Sequence, residues 1–457
     1  MPAPLPPLEP PEKSRLYPPG TTHAVLEGRM ADLDPHERAR ELTRARPKRG
    51  LPIAPLAKPG ARHLPLADDV RAKDRRYRPI YAVWEVTLAC DLACRHCGSR
   101  AGKERPDELT TAEALDLIDQ MARLGVKEVT LIGGEAYLRD DWLELVRAIR
   151  SHGIPVTTTS GGRGLTPEII DRAKAAGLSG ASISIDGDET THDRLRGVAG
   201  SYRSAIAALR ALKERGLSVS CNTQINRLSM PLLEGILETV AAIGIRGWQI
   251  QLTVPMGRAA DEPDVLVQPY DLLELFPRLA ALKKRCDDLG VVLWPGNNIG
   301  YFGPYESIIR GHYLAGHGGS CGAGRATLGI EANGAIKGCP SLPTERWTGG
   351  NIRDDSLEAI WERSEPLRYM RDRTVDDLWG YCRTCYYAEE CMSGCTWTSF
   401  VTLGKAGNNP FCHHRAIEMN REGKRERIVK VTEAPGEPFD HGVFEIVVES
   451  LSGGGPT

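Results

Sequence analysis

The sequence predicts an α/β fold in which parallel strands alternate with helices, followed by a smaller region organised by cysteines. Two observations support this prediction. A helical pattern, a glycine and a short β-branched run recur in that order between residues 110 and 295, which is typical of βα units and a parallel sheet. The twelve cysteines are clustered, with three at 90–97 and seven after residue 320.

Each repeat ends in a glycine that we expect in the left-handed conformation after the last helical turn. The helix over 110–125 shows the signals most fully, with a capping box formed by Thr110 and Glu113. Leu117, Met121 and Leu124 follow at helical spacing and predict a buried face. The glycines at the helix-to-strand junctions are Gly125, Gly153, Gly177, Gly216, Gly244 and Gly290.

About six or seven strands are predicted before residue 295. Because eight strands close a standard (β/α) barrel, a smaller number predicts either a partial, open barrel or a doubly wound sheet. Both folds place reactive groups at the carboxyl ends of the strands. The first strand is predicted over 80–88, and Cys90 follows it directly. The cysteines at 90–97 are therefore expected at the catalytic end of the sheet.

The composition excludes several classes of protein. The chain of 457 residues has a formal net charge of −2, so it has no overall attraction to nucleic acid or to anionic membranes. It lacks the run of about eighteen apolar residues that predicts a membrane span and the apolar segment of a secretory signal. We therefore expect a cytoplasmic protein with neither membrane nor nucleic acid as a partner. In that compartment clustered cysteines predict metal ligands, and the isolated Cys221 and Cys286 predict small buried side chains.

Residues 1–78 form a separate zone that is rich in proline at its start and basic over 36–78. The stretch DPHERARELTRARP predicts a short helix capped by Asp34. Two interpretations of this extension remain open. It is either a solvated, partly disordered tail or a docking arm for an acidic partner such as a peptide leader.

Three cysteines in the stretch TLACDLACRHCGSR carry the strongest chemical signal. Cys90, Cys94 and Cys97 are spaced C-x3-C-x2-C. Structural zinc and iron–sulfur sites usually take four protein ligands, so three thiolates leave one coordination position of the metal centre open. A zinc site with a remote fourth ligand is the alternative.

This motif after a first strand resembles the signature of the radical S-adenosylmethionine (SAM) superfamily. The resemblance implies that Cys90, Cys94 and Cys97 ligate three irons of a 4Fe–4S cluster, and that the fourth iron binds the amino and carboxylate groups of SAM. An electron passed to SAM would then release a 5′-deoxyadenosyl radical.

Further positions resemble the SAM-binding motifs of the superfamily. Gly133, Gly134 and Glu135 follow the second strand and look like the GGE motif that holds the SAM amino group. Ala136 replaces the proline that many relatives carry next, which affects the stiffness of the loop more than the amino-group contacts. Ser184, at the end of the fourth strand, resembles the contact to the SAM ribose.

Two charged residues after the fourth strand leave alternatives open. Asp186 alternates with buried isoleucines and either faces the site or forms a turn. Arg196 either meets the SAM carboxylate as a bidentate partner or lies on the surface. The stretch PMGRA at 255–259, after the sixth strand, shows a weaker similarity to the same family.

The spacing C-x2-C-x5-C-x3-C around residue 390, preceded by a G-x4-C motif, resembles the SPASM extension of radical SAM enzymes. This extension usually holds two auxiliary 4Fe–4S clusters. The resemblance implies that one auxiliary cluster is ligated by Cys382, Cys385, Cys391 and Cys412. It implies that the other is ligated by Cys321, Cys339 and Cys395.

The set of three auxiliary cysteines has an open position, because CGAGRATLG after Cys321 lacks the further cysteine of some relatives. That position either stays open for substrate or is closed by another residue. A double zinc ribbon is the alternative for the whole region, since thiolates suit both metals. Pro340 stands where sulfatase-maturing relatives carry an acid that serves as base, so oxidation of a sulfatase is not expected.

The resemblance covers roughly residues 80–415 and implies a partial (β/α)6 TIM-like barrel with a C-terminal cysteine-rich iron–sulfur SPASM domain. The expected organisation is an N-terminal extension over 1–78, a radical SAM barrel over 79–300, a SPASM domain over 301–420 and a tail over 421–457.

The implied function is that of a peptide maturase. Such an enzyme cleaves SAM reductively and takes hydrogen from a residue of a ribosomally made precursor peptide, with a flavodoxin or ferredoxin as electron donor. Two alternatives remain open. One is a radical SAM enzyme that acts on a small molecule or cofactor precursor, and the other is a non-catalytic, zinc-bound scaffold that binds peptide or nucleic acid.

Overall fold

Seven parallel strands form the centre of the protein, in a computed structural model that describes residues 66–311 and 321–451. They are β1 (Tyr81–Glu85), β2 (Glu128–Ile132), β3 (Val156–Ser160), β4 (Gly180–Ser184), β5 (Ser218–Ile225), β6 (Gly247–Leu252) and β7 (Val292–Pro295). Each strand pairs in parallel with the next one along the chain. This sequential order excludes the doubly wound sheet, whose strand order reverses at a switch point, and confirms the partial barrel.

Helices connect these strands, and the longer ones pack on one face of the sheet. They are α1 (Thr111–Leu124), α2 (Trp142–Ser151), α3 (Pro167–Ala176), α4 (Glu189–Arg196), α5 (Ser201–Glu214), α6 (Leu233–Ile243), α7 (Arg258–Asp261) and α8 (Leu272–Asp288). Ile183, Trp248 and Leu293 from the strands share one apolar core with Leu209 and Leu237 from the helices. Because side chains alternate along a strand, the residues between these core positions line the opposite, inner face of the sheet.

The local signals of the repeat are confirmed. All six junction glycines have φ between 66° and 104°. Thr110 N donates to Glu113 Oε2 at 2.8 Å, and Glu113 N donates to Thr110 Oγ1 at 3.3 Å, so the capping box is closed. Leu117, Met121 and Leu124 are buried under α1.

The sheet continues on the other side of β1. Its further strands are β8 (Thr327–Ile330), β9 (Ala335–Lys337) and β10 (Thr348–Asn351). β8 pairs in parallel with β1, and β9 and β10 follow antiparallel. The ten strands lie in the order β10-β9-β8-β1-β2-β3-β4-β5-β6-β7. The sheet therefore has no break at the domain boundary expected at residue 300.

The cysteine-rich region is built from short helices and ends in a hairpin. The helices are α9 (Glu306–Ile309), α10 (Thr344–Trp347), α11 (Leu357–Arg363), α12 (Glu365–Asp372), α13 (Tyr381–Thr384), α14 (Ala388–Cys391), α15 (Thr396–Leu403) and α16 (His413–Arg421). The hairpin consists of β11 (Lys424–Thr432) and β12 (Val443–Ser450), paired antiparallel. The hairpin lies in the region expected to be a tail. It is part of the folded protein, because Ile428 and Phe444 are buried in the main core and anchor it there.

Three remaining expectations concern two single cysteines, membrane spans and the helix near the start of the chain. Cys221 and Cys286 are fully buried, as predicted. No helix within 66–311 or 321–451 is long and apolar enough to cross a membrane. The helix predicted after Asp34 lies outside the described residues.

Asp74 anchors the start of the described chain. Its carboxylate is fully buried and pairs with Arg71 of the same segment at 2.6 Å, and with Arg368 and Arg371 of α12 at 3.1 and 3.2 Å. Burial by itself raises the pKa of the Asp74 carboxyl, but the hydrogen bonds from Arg71 and Arg371 outweigh it and leave the pKa lowered. A buried charge of this kind is stable only while its partners remain.

We predict that Asp74→Ala lowers the free energy of unfolding by about 3 kcal/mol, because it leaves the arginines of α12 buried without a counter-ion. Urea unfolding followed by circular dichroism measures the change. Asp68→Ala is the control, since Asp68 is exposed and its replacement should cost less than about 0.5 kcal/mol. Equal stabilities of the two variants would contradict the role given to Asp74.

Candidate active site

The loop that follows β1 carries the three cysteines and is held by the backbone of the loop that follows β2. Gly134 N donates to Thr87 O at 2.8 Å, and Glu135 N donates to Ala89 O at 2.8 Å. A Cβ atom at Gly134 would lie 2.1 Å from Ala89 O, and one at Gly133 would lie 2.2 Å from Thr87 O. Only glycines allow this approach, which explains the two glycines of the GGE motif in physical terms.

The three cysteines lie in an environment that suits a metal centre. Cys94 is buried, and Cys90 and Cys97 are partly buried. Burial raises the pKa of the Cys90 thiol to about 12, against a 3.4 Å hydrogen bond from Leu92 N. Burial also raises the pKa of Cys94, to about 11. Such thiols keep their protons at neutral pH unless a metal displaces them.

One close group of possible ligand atoms includes a cysteine of this loop. Within 66–311 and 321–451, the only three His, Cys, Asp or Glu ligand atoms that all lie within 4.8 Å of one another belong to Cys90, Asp91 and Glu135. One zinc ion, with Zn–S bonds of about 2.3 Å, brings its sulfurs to about 3.8 Å from each other. The sulfurs of Cys90, Cys94 and Cys97 do not form such a close group among the described residues.

Glu135 is a buried carboxylate with a fixed orientation. It accepts hydrogen bonds from Ser160 Oγ and from Gly161 N, the latter at 2.7 Å. Burial raises its pKa to about 7, these hydrogen bonds oppose the rise, and the nearby Asp91 adds to it. A cationic partner would stabilise the ionised form of this buried carboxyl group. The ammonium group of SAM, which the resemblance places here, is such a partner.

Arg196 and Asp186 form a buried ion pair next to the cysteines. Arg196 Nη2 lies 2.6 Å from Asp186 Oδ2, and Arg196 Nη1 lies 3.7 Å from Cys94 Sγ. His96 Nε2 approaches the same Asp186 oxygen at 3.2 Å. Burial opposes ionisation of Asp186, but Arg196 and His96 hold its pKa far below the usual range. The surface alternative for Arg196 and the simple-turn alternative for Asp186 are therefore wrong.

The end of α4 also supports the cysteine loop, at residues other than those that the glycines approach. Ala93 N donates to Arg196 O at 3.0 Å, and Arg95 N donates to Leu195 O at 2.8 Å. The Nε atom of Arg196 is buried without a hydrogen-bond partner among the described residues. This donor is available to an acceptor such as a carboxylate, so the residue fits the expected SAM contact while it also braces the loop.

Ser184 ends β4 on the inner face of the sheet. It is 5% exposed and donates a 3.0 Å hydrogen bond to Asn222 Oδ1. Its hydroxyl oxygen can still accept, which fits the expected contact with a ribose hydroxyl.

Two further contacts to the cysteine loop come from distant parts of the chain. Arg258, in the PMGRA stretch, donates from Nε to Cys94 O at 2.6 Å and from Nη1 to Ala101 O at 3.0 Å. Arg100 pairs with Asp440 at 2.7 Å and with Asp261 at 2.6 Å. Asp440 lies between β11 and β12, and no sequence motif indicated that this segment reaches the loop.

The auxiliary cysteines are partly assembled. Burial raises the pKa of Cys395, and the neighbouring thiols of Cys321 and Cys339 raise it further, so the three cysteines expected in one set lie together. Cys382 Sγ accepts from Asn409 N at 3.4 Å, and Cys412 Sγ lies 3.7 Å from Tyr301 O. Cys382 and Cys412 belong to the predicted set of four auxiliary cysteines. The other two members of that set, Cys385 and Cys391, are both partly buried.

Two parts of the chain match known family models. Residues 84–231 match the radical SAM superfamily, and residues 321–386 match SPASM, an iron–sulfur cluster-binding domain. Mycofactocin maturase MftC of Mycobacterium ulcerans is 31% identical, over 77% of this chain and 93% of the relative. The AdoMet-dependent heme synthase of Nitratidesulfovibrio vulgaris is 29% identical, over 74% of this chain and 92% of the relative.

A solved structure shares the fold. Native anSMEcpe with bound AdoMet superposes with a TM-score of 0.60 at 14% identity, over 74% of this chain and 95% of that chain.

We predict that Gly134→Ala prevents metal loading at the cysteine loop, because the new Cβ would overlap Ala89 O. After anaerobic reconstitution the variant should hold about four irons fewer than the parent, the content of one 4Fe–4S cluster. Gly102→Ala is the matched control, since it lies in the same loop and a Cβ there meets nothing within 4 Å. Equal iron contents in all three proteins would contradict the importance of the close approach.

We also predict that Asp440→Ala loosens the cysteine loop by removing one of the two carboxylates paired with Arg100. Loss of a charge-assisted hydrogen bond should speed amide exchange at residues 98–102 by about tenfold. Hydrogen–deuterium exchange with mass spectrometry measures this rate. Glu445→Ala, an exposed position on β12, should leave it unchanged, and an unchanged rate in Asp440→Ala would refute the prediction.

Proposed function

Because the chain belongs to the radical SAM superfamily and carries a SPASM domain, we propose that it is a maturase that takes hydrogen from a residue of a ribosomally made precursor peptide. When bound, the 4Fe–4S cluster and SAM supply a 5′-deoxyadenosyl radical by reductive cleavage. The protein contributes the binding, the orientation and the exclusion of water.

The proposal gives each residue of the site a role. Cys90, Cys94 and Cys97 hold the cluster on a loop that is hydrogen-bonded both to the segment after β2 and to the end of α4. Glu135 orients the amino group of SAM. Arg196 donates from its unpaired Nε atom to the carboxylate of SAM. Asp186 holds the guanidinium group of Arg196 in place. The set is completed by the glycines and the ribose contact named above, Gly133, Gly134 and Ser184.

One observation favours a peptide over a tetrapyrrole, which the similarity to heme synthases would otherwise suggest equally. The strands β1 to β7 contain no lysine or arginine, and their only charged residues are Glu85 and Glu128. Haem-type tetrapyrroles carry ionised carboxylates, which proteins hold with arginine or lysine. Strands without cationic side chains suit a peptide chain instead.

Three arginines near the ends of the strands do not change this conclusion, because they already have partners. Arg196 is paired with Asp186, and Arg258 is bound to two carbonyl groups. Arg105 is paired with the buried Glu85 and Glu331. None of these three is positioned to bind the carboxylates of a tetrapyrrole without losing a buried partner.

The proposal extends to the redox partners of the enzyme. The two auxiliary sets, Cys321 with Cys339 and Cys395, and Cys382 with Cys385, Cys391 and Cys412, each hold a 4Fe–4S cluster. When bound, such clusters would supply an acceptor for the electron left after hydrogen removal, or a place for the substrate to bind. A flavodoxin or ferredoxin delivers the initial electron.

The test is an anaerobic assay of the reconstituted protein with dithionite, SAM and a deuterated candidate precursor peptide. We expect 5′-deoxyadenosine that carries deuterium, together with a mass change of the peptide. Cys94→Ala should form neither product, whereas Cys286→Ala, which removes a buried core thiol far from all three cysteine sets in sequence, should form both. Deuterium-free 5′-deoxyadenosine with every peptide, together with conversion of a tetrapyrrole carboxylate, would favour the cofactor-precursor alternative.

A further inference from the structure

Four side chains on neighbouring strands form one row across the inner face of the sheet. Ser184 of β4 is in register with Asn222 of β5, Asn222 with Gln249 of β6, and Gln249 with Trp294 of β7. We call these four residues the inner row. Residues in register on adjacent parallel strands have side chains on the same face, so the row is continuous from β4 to the edge strand β7.

The neighbours of the inner row along each strand confirm which face it occupies. Trp248 and Ile250 flank Gln249, and both are fully buried in the core against the helices. Leu293, before Trp294, is also fully buried. Gln249 and Trp294 therefore point away from the helices, into the open side of the partial barrel.

Exposure rises along the inner row. Ser184 and Asn222 are buried and hydrogen-bonded to each other. Gln249 is exposed, and its side-chain amide has no partner among residues 66–311 and 321–451. Trp294 is 48% exposed, on the last strand of the sheet. The row thus leads from the candidate SAM site at Ser184 outward to β7, the last strand of the sheet in the described part of the chain.

The chemistry of the row is neutral throughout. Its members offer a hydroxyl, two amides and an indole, and the strands that carry them contain no charged residue. A carboxamide matches a peptide group because both have one donor and one acceptor side. Tryptophan offers a large apolar surface at little entropic cost. A charged side chain entering this wall would lose water without gaining a counter-ion.

We propose that the inner row binds an uncharged stretch of the peptide substrate, with Gln249 paired to its backbone and Trp294 packed against one of its side chains. The residue that reaches the Ser184 end, where hydrogen is removed, is then itself uncharged. This inference rests on the proposed function, which it deepens by specifying which part of a peptide enters the barrel.

The test is selection of a randomised display library of 12-residue peptides on the full-length reconstituted protein with SAM. Peptides retained by the parent should contain a contiguous stretch in which Asp, Glu, Lys and Arg are depleted by about fivefold, the effect of roughly one uncompensated charge contact. Gln249→Lys should enrich acidic residues in that stretch, and Gln249→Glu should enrich basic ones. Val448→Lys, at an exposed position of β12, is the control and should leave the parent's pattern unchanged.

A second variant tests the outer end of the row. Trp294→Ala should lower retention of the parent-selected pool by about tenfold, as expected for loss of an aromatic contact. Circular dichroism melting of each variant shows whether it is folded, and the exposed positions of Gln249 and Trp294 make a folded protein the expected result.

The outcomes separate this inference from the proposed function. If the lysine and glutamate variants select the same charges as the parent, the inner row is not the binding surface, even if the selected peptides are modified. If the charges shift as expected but no selected peptide gives deuterium transfer to 5′-deoxyadenosine, the row binds peptides and the maturase proposal is wrong. Retention of no peptide above bare beads overturns the inference as well.

Discussion

The site depends on a contact between two backbones. The loop after β2 passes so close to the loop after β1 that the carbonyl oxygens of Thr87 and Ala89 occupy the positions where side chains of residues 133 and 134 would be. Because backbone atoms cannot rotate away as side chains can, this contact determines where Cys90 lies relative to Glu135. A metal centre on the first loop and a ligand on the second are thereby placed side by side without any flexible link.

Charge is distributed unevenly around this contact. Next to the cysteines, Asp186, Arg196 and His96 form a buried and closely paired network. The four strands β4 to β7, by contrast, contain no charged residue. Electrostatic interactions are strong where water is excluded, so the first region is suited to holding a charged cofactor. The region formed by β4 to β7 is suited to binding an uncharged part of a substrate. This is consistent with the proposed binding of a peptide segment there.

Much of this arrangement could be predicted from local sequence. The junction glycines, the capping box of α1, and the positions of Cys90 and Gly134 after β1 and β2 all follow from rules that act over a few residues. The family resemblance extended these positions to a partial barrel. The match to the SPASM model ends at residue 386, so the roles of Cys391, Cys395 and Cys412 remain predictions from their spacing and from the family resemblance.

The contacts between distant segments could not be predicted in the same way. Whether Arg196 lay on the surface or in the site depended on Asp186, which is ten residues earlier and on another element. Asp440 meets Arg100 across more than three hundred residues, and nothing in either segment indicates the other. The pairing of β8 with β1 could not be predicted either. The alternation of side chains along a strand indicates which face is buried, but it does not indicate which neighbouring strand it pairs with.

The central claim is that Cys90, Cys94 and Cys97 hold a cluster with one iron open to SAM. Electron paramagnetic resonance of the reconstituted, dithionite-reduced protein, recorded before and after addition of SAM, tests this most directly. The account predicts a 4Fe–4S component whose spectrum changes when SAM is added and which is missing from Cys94→Ala. A spectrum that is indifferent to SAM, or identical in the parent and in Cys94→Ala, would contradict it.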